Sequence, residues 1–227
     1  MGRPIRQLAN EPLFFLGMAV RVILVIFLAP AIHGDWFVPF IDNFIDNPGI
    51  DPWRIHMDTG GNVLAFPYGP VMWLLLLPAT ALGALGGLIF PDTATELTAI
   101  GFSAGILVLD LLLLTALLEV VPDRRRLVLW LYWLSPIVLY LNYWHGQVDV
   151  VPVLLLTASL VALRRQRFML AGVILGAAFA AKLSMMLALP FILIYLVRNN
   201  RLRRFSPRFI AGVIGTTTIL QGPYLLS

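Results

Sequence analysis

The sequence is a succession of long apolar runs, at about 13–31, 63–90, 97–121, 127–144, 150–163, 168–197 and 209–226, separated by short polar loops. A helix needs roughly 20 such residues to cross the hydrocarbon core of a bilayer. The runs are continuous rather than alternating, which selects helices over barrel strands. Composition removes the other classes. Hydrophobic residues make up 59% of the chain and charged ones 12%, with a mean hydropathy of +0.88. A soluble domain carries about 25% charged residues, so soluble enzyme, disordered tail and nucleic-acid module are all excluded. The expected fold is all-α, a polytopic transmembrane bundle forming one domain over residues 1–227, with about seven to eight membrane segments.

The few charges orient the chain. Arginine supplies 15 of the 16 basic residues, and Lys182 is the sole lysine. The arginines concentrate in the loops 122–126, 164–167 and 198–208, which the positive-inside rule assigns to the cytoplasm. The one long polar segment, 33–67, is acidic, with Asp35, Asp42, Asp46, Asp51 and Asp58 beside Arg54, His33 and His56. It is expected to be a non-cytoplasmic loop. Within it Phe37, Ile41, Phe44 and Ile45 recur at helical spacing opposite Asp42, Asn43 and Asp46. That pattern predicts an amphipathic helix in the membrane interface, ended by Asn47-Pro48-Gly49. Arg3 and Arg6 precede the first run, and Arg21 in its middle favours an anchored span over a cleaved leader.

Charge and span count conflict at one place. Two plain spans between 63 and 121 would carry Arg124–Arg126 to the acidic side. Either 63–97 is broken or re-entrant, as Pro78 and the Gly83–Gly87 cluster would allow, or one basic loop violates the rule. The run 168–197 is too long for one ordinary span and is expected to be two short segments meeting near Lys182 and Ser184. Gly83/Gly87, Gly101/Gly105 and Gly172/Gly176 are spaced for close helix packing. Trp130, Trp133, Tyr140, Tyr143 and Trp144 fit an interfacial aromatic belt.

Charges in hydrocarbon need a partner or a cavity. Arg21 and Asp110 are expected to pair. Lys182, in Ala-Ala-Lys-Leu-Ser, is a candidate for holding a phosphate or for pairing with Asp149. The segment 144–152 offers His145, Gln147 and Asp149 between two apolar runs. If helical, it puts His145 and Asp149 on one face; alternatively Asp149 caps the next helix, with Pro152 in its first turn. Asp35 stands where the first run leaves the membrane. Partly desolvated there, its carboxyl would have a raised pKa suited to a general base. A divalent metal on Asp35, Asp42 and Asp46 is the weaker reading, because Pro39 interrupts their helical spacing. The absence of cysteine excludes thiolate chemistry. Dinucleotide, Walker-type and zinc-protease motifs are absent.

The order of these features resembles a known module. An acidic loop opens with Asp35 and carries an interfacial helix. Phe66-Pro67-Tyr68-Gly69-Pro70 then opens the next span. Leu134-Ser135-Pro136, His145-Gly146-Gln147-Val148-Asp149 and Ala171-Gly172-Val173-Ile174-Leu175-Gly176 follow, leading to Lys182 and Pro190. Over about residues 10–200 this is similar to the N-terminal transmembrane module of GT-C superfamily glycosyltransferases, nearest to the polyprenyl-phosphate-sugar-dependent mannosyl- and glucosyltransferases. The resemblance implies an inverting hexosyl transfer from a polyprenyl-phosphate sugar to an acceptor at the non-cytoplasmic face of the inner membrane. Asp35 would take the acceptor's proton. Lys182, His145 or Arg54 would neutralise the departing phosphate, and Gln147 and Asp149 would bind sugar hydroxyls or orient the base. Members of the superfamily usually carry further spans, so a second membrane polypeptide completing the fold is expected, besides the surrounding lipids. Two other readings use the same module: a non-catalytic subunit of a larger membrane complex, and a lipid-linked sugar flippase or transporter.

Overall fold

The computed structural model describes residue 8 and residues 10–225; Arg3 and Arg6 lie outside the described residues. All regular structure among the described residues is helical, as expected. Two helices, Pro70–Ile89 and Pro91–Val120, are long and apolar enough to cross a membrane. Pro122–Trp133 and Pro136–Trp144, bent by 48° at their junction, make a third if taken as one span. The other apolar runs form helices of 10–17 residues, Pro12–Phe27, Val150–Arg164, Phe168–Ala181 and Leu183–Arg198. By length the described residues therefore hold two to three full spans, short of the seven to eight expected. The cause is local: prolines and the Lys182 break shorten elements that hydropathy alone reads as continuous.

The chain divides into two compact units, one of residues 1–67 and 73–150, the other of residues 68–72 and 151–227. In the first unit, α1 (Pro12–Phe27) ends at the extended Leu28. A helical stretch over 31–46 follows, with a π segment at His33–Phe37 and α2 at Val38–Asp46. Pro39 explains the π turn. It lacks an N–H, and its ring would collide with the Asp35 carbonyl in a regular α-helix. The turn before it widens, and the Val38 N–H donates to the carbonyl of His33. Pro39 thus does not interrupt the helix but changes its pitch. Phe37, Phe40 and Ile41 are buried while Asp46 is exposed, so the amphipathic pattern holds. Short helix α3 (Pro52–Asp58) packs on α2 and is capped by Asp51, whose carboxylate accepts from the Trp53 and Arg54 N–H groups.

Helix α4 (Pro70–Ile89) runs unbroken through Pro78, so of the alternatives the sequence left open, a helix broken at its proline and glycines is not the one adopted. Its glycines serve packing instead. A Cβ on Gly83 would overlap the Leu97 carbonyl of α5 (Ala94–Val120), and one on Gly101 would lie 2.5 Å from the Ala79 carbonyl. Helices α1 and α5 run antiparallel. Glu11, before α1, pairs with Arg125, just past α5, at 2.5 Å, and Arg21 pairs with Asp110 at 2.7 Å with neither side chain exposed. Then come α6 (Arg125–Val128) with a π segment Leu129–Trp133, and α7 (Pro136–Leu139) with a π segment Tyr140–Trp144.

These two π segments deliver Trp133 and Tyr143 to the Arg21–Asp110 pair. Tyr132 and Tyr143 both donate to the Asp110 carboxylate. Arg21 donates to the Trp133 carbonyl and lies over the Trp133 ring, 3.6 Å from its centroid. Trp133 and Tyr143 are therefore buried parts of a polar core, whereas Trp130, Tyr140 and Trp144 stay exposed as a belt would require.

In the second unit, α8 (Val150–Arg164, all but its first residue), α9 (Phe168–Ala181), α10 (Leu189–Arg198) and α11 (Ser206–Leu225) surround a core of Ala171, Leu175, Phe179, Leu196, Phe209 and Val213. Gly172 and Gly176 of α9 let α11 approach until a Cβ at Gly172 would overlap the Phe209 carbonyl. Helix α9 stops where expected, at Lys182, whose φ of −150° and ψ of 119° are extended.

Candidate functional site

The first unit assembles its polar groups where α1 ends. Residues 25–31 leave the helix and, with His33, Gly34, Asp35, Glu96, Ala99, Ile100 and Ser103, line a cavity of about 340 Å³. Its walls are apolar and its ionisable groups are Asp35, Glu96 and His33. Asp35 sits inside the π turn and is exposed, not partly desolvated as the sequence led us to expect. Glu96, in the first turn of α5, is also exposed. Nothing in its sequence neighbourhood marked it, since its relevance comes from the fold bringing the start of α5 to the end of α1.

His33 is the anchor of this region. It is buried, its Nε2 lies 3.0 Å from the Gly146 carbonyl, and its Nδ1 lies 3.4 Å from Ser103 Oγ. Burial lowers its pKa to about 4, with the Gly146 hydrogen bond opposing the shift. The imidazole is therefore neutral near pH 7. Phe102 packs edge-on against it, with centroids 4.7 Å apart. This contact joins the Asp35 turn to the His145–Asp149 segment. Gly146 has a φ of +84°, and a Cβ there would meet Ile32 at 2.5 Å and His33 and Pro30 at 2.8 Å. Only glycine fits both the backbone and the space.

That same glycine overturns one expectation. Residues 145–149 are not helical, so His145 and Asp149 do not share a helical face. Asp149 instead directly precedes α8. His145 is exposed and Gln147 half-buried, with Gln147 Nε2 3.4 Å from His145 Nδ1. The fold thus brings Asp35 and the His145–Asp149 loop into one neighbourhood through His33.

Arg54, Asp42 and Asp46 do not line the Asp35 cavity. Arg54 forms an exposed pair with Asp58 at 4.0 Å within α3 and does not line the Asp35 cavity. Asp42 and Asp46 line a different cavity, of about 550 Å³, with the ends of α4 and α5. Burial, and secondarily the charge of Asp46, push the Asp42 carboxyl up. Asp35, Asp42 and Asp46 are thus not gathered, and among the described residues no cluster of three potential metal donors occurs. In the second unit Lys182 stands at the helix break with its ammonium 5.5 Å from the centroid of the Tyr68 ring. The Gly69 N–H donates to the Ala181 carbonyl at 2.9 Å, and a Cβ on Gly69 would overlap the Ala180 carbonyl. The Tyr68-Gly69-Pro70 motif and the Lys182 break are therefore a single structural feature.

Comparison with known proteins gives a family. The family model described as glycosyltransferase family 87 matches residues 66–226. The match includes His145, Gln147, Asp149 and Lys182 and begins after Asp35 and Arg54. No curated protein and no solved structure matches the chain.

Proposed function

The chain belongs to glycosyltransferase family 87, a GT-C type family of membrane glycosyltransferases, and on that premise we propose that it transfers a hexosyl unit, such as mannose, from a polyprenyl phosphate to an acceptor hydroxyl on the non-cytoplasmic face. The observation that supports this reading most is the packing of His33 on Gly146, which brings the His145–Asp149 loop against the turn whose Asp35 lines the cavity of about 340 Å³. Asp35, exposed in that cavity, takes the proton of the acceptor hydroxyl as its oxygen attacks the anomeric carbon. The bond from that carbon to the phosphate oxygen breaks with inversion, and polyprenyl phosphate leaves. A phosphate is a good leaving group, so no second carboxylate acting as acid is needed, in contrast to glycoside hydrolysis. The departing charge requires a cation; the candidate beside the Asp35 turn in the first unit is His145. Gln147 and Asp149 offer the donors and acceptors that hold sugar hydroxyls. A second membrane polypeptide, if present, supplies the further spans of related enzymes.

A radiolabelled transfer assay tests this, with polyprenyl-phosphate mannose and glucose as donors and the purified chain in nanodiscs. Asp35→Asn should lower the rate by about 10²–10⁴-fold, the usual contribution of a general base, with thermal unfolding unchanged. Wild-type rates in Asp35→Asn remove Asp35 from the mechanism. No turnover by the folded wild type with either donor, alone or with co-purified partners, turns the reading to a non-catalytic subunit. Donor movement across the bilayer without transfer turns it to a flippase.

A further inference from the structure

The arginine-rich end of the second unit takes no part in the transfer chemistry. This unit, residues 68–72 and 151–227, contains eight arginines and one lysine but neither aspartate nor glutamate. All eight arginines fall in the two loops 164–167 and 198–208 or at their edges, and all are exposed. No acidic side chain of the unit can therefore neutralise them.

The fold concentrates this charge instead of dispersing it. Gly172 packs against Phe209 and Gly176 against Val213, and Gln221 Nε2 donates to the Phe179 carbonyl at 3.3 Å. Helices α9 and α11 thus run parallel, with their N-termini side by side. Phe168, the first residue of α9, stacks on Phe205, directly before α11, with centroids 4.5 Å apart and an interplanar angle of 5°. The guanidinium groups of Arg204 and Arg208 both lie over the Phe205 ring, 4.7 and 5.7 Å from its centroid. Arg167 is the N-cap residue of α9, and its side chain makes no capping hydrogen bond. A helix N-terminus carries positive partial charge and unpaired N–H groups, and it favours anions. Here two such ends meet and cations flank both. Like charges gathered in this way repel, and an anion among them removes the repulsion.

The surroundings say which anion. Met169 and Leu170 in the first turn of α9, and Ile210 and Ile214 of α11, are exposed apolar side chains. A phosphate free in water would satisfy the cations and leave these residues bare. A phospholipid uses both, because its phosphate oxygens match the planar fork of arginine and its acyl chains cover apolar surface. We propose that Arg204 and Arg208, with Arg167, hold the phosphate of an anionic phospholipid whose acyl chains lie along the exposed apolar residues of α9 and α11. The positive-inside rule asks only for basic residues on one side of the membrane; it does not ask that two guanidinium groups share one ring. The site depends neither on Asp35 nor on any sugar donor.

Native mass spectrometry of the full chain in detergent tests it, with phosphatidylglycerol and phosphatidylcholine titrated as probes. Wild type should bind phosphatidylglycerol about tenfold more tightly than phosphatidylcholine. Arg204→Gln/Arg208→Gln should abolish that preference. Arg198→Gln/Arg201→Gln removes the same charge from the same loop, and it should weaken the preference only about twofold, because exposed charges beyond the contact are screened. Arg204→Lys/Arg208→Lys keeps the charge without the planar fork and should retain only part of the preference. Every replaced side chain is exposed, so each variant should keep the wild-type unfolding temperature. Equal losses in the two glutamine pairs would mean a diffuse surface charge and overturn the site. So would equal binding of the two lipids, full preference in the lysine pair, or displacement of phosphatidylglycerol by millimolar inorganic phosphate, which would mark a site for free phosphate.

Discussion

Arg21 and Asp110 make the strongest single-residue statement in the structure. Each is fully buried, and the carboxylate takes two tyrosine hydroxyls besides the guanidinium. Removing one partner strands the other charge, at a cost of about 3–5 kcal/mol. Arg21→Leu and Asp110→Leu should therefore each lower the detergent unfolding temperature sharply, and the double variant should recover most of the loss. Equal or additive losses in the double variant would show that the pair is not coupled. His33 gives a pH prediction. The unfolded imidazole titrates near its ordinary 6.5 and the folded one near 4, so between these values the unfolded chain binds more protons. Stability is then fully present above about pH 6.5 and falls as pH drops towards 4. Unfolding midpoints from pH 4 to 8 check this, and His33→Phe should flatten the slope. Reading residues from sequence succeeded for Arg21 and Asp110 because opposite charges in hydrocarbon have few alternatives. It missed Glu96, whose significance arises only from neighbours distant in sequence.

Elements carry the site through their irregularities. The π turn at 33–37 exists because Pro39 follows it, and Asp35 sits inside that turn. Pro39→Ala restores the missing N–H and lets the turn tighten towards an α-helix, which rotates Asp35 by up to about 100° per residue of register. The variant should keep its helical circular dichroism and unfolding temperature yet lose most transfer activity. Full activity would show that the widened turn is not needed. Packing of α9 on α11 is equally specific. Gly172→Leu places a side chain where the Phe209 carbonyl already sits, and overpacking of this kind costs about 1–3 kcal/mol, which thermal unfolding will show. Helical periodicity made the amphipathic helix and the Lys182 break visible beforehand. It could not show the π turns or the loop at 145–149, because a proline's effect on the preceding turn and a positive φ at Gly146 depend on packing rather than hydropathy.

At the scale of the whole chain, the antiparallel α1 and α5 bear on the conflict between charge and span count. The Glu11–Arg125 ion pair puts the basic loop after α5 beside the start of α1. The other end of α5 lies with Asp35, and the last turn of α4 lines a cavity there with Asp42 and Asp46. With the start of α5 on the side of the acidic loop and the basic loop after it on the other, the positive-inside rule would be met at Arg124–Arg126. The chain contains no cysteine, so single replacements report cleanly. An impermeant maleimide added to intact cells should label cysteines at Asp58 and Asp92 and not at Arg126. Labelling at Arg126 would overturn this topology. Hydropathy made the membrane class legible, but it counted apolar runs as crossings, whereas helix length leaves two to three of them able to cross among the described residues. The buried ion pair has a further consequence, in time rather than energy. Its two halves are 89 residues apart, so at about 5–20 residues per second Arg21 leaves the ribosome roughly 5–20 s before Asp110 does. During that interval the first helix carries an unmatched charge and cannot settle in lipid. Helix α1 is thus secured only after α5 has been made, and whatever shelters it meanwhile belongs to the cell's insertion machinery.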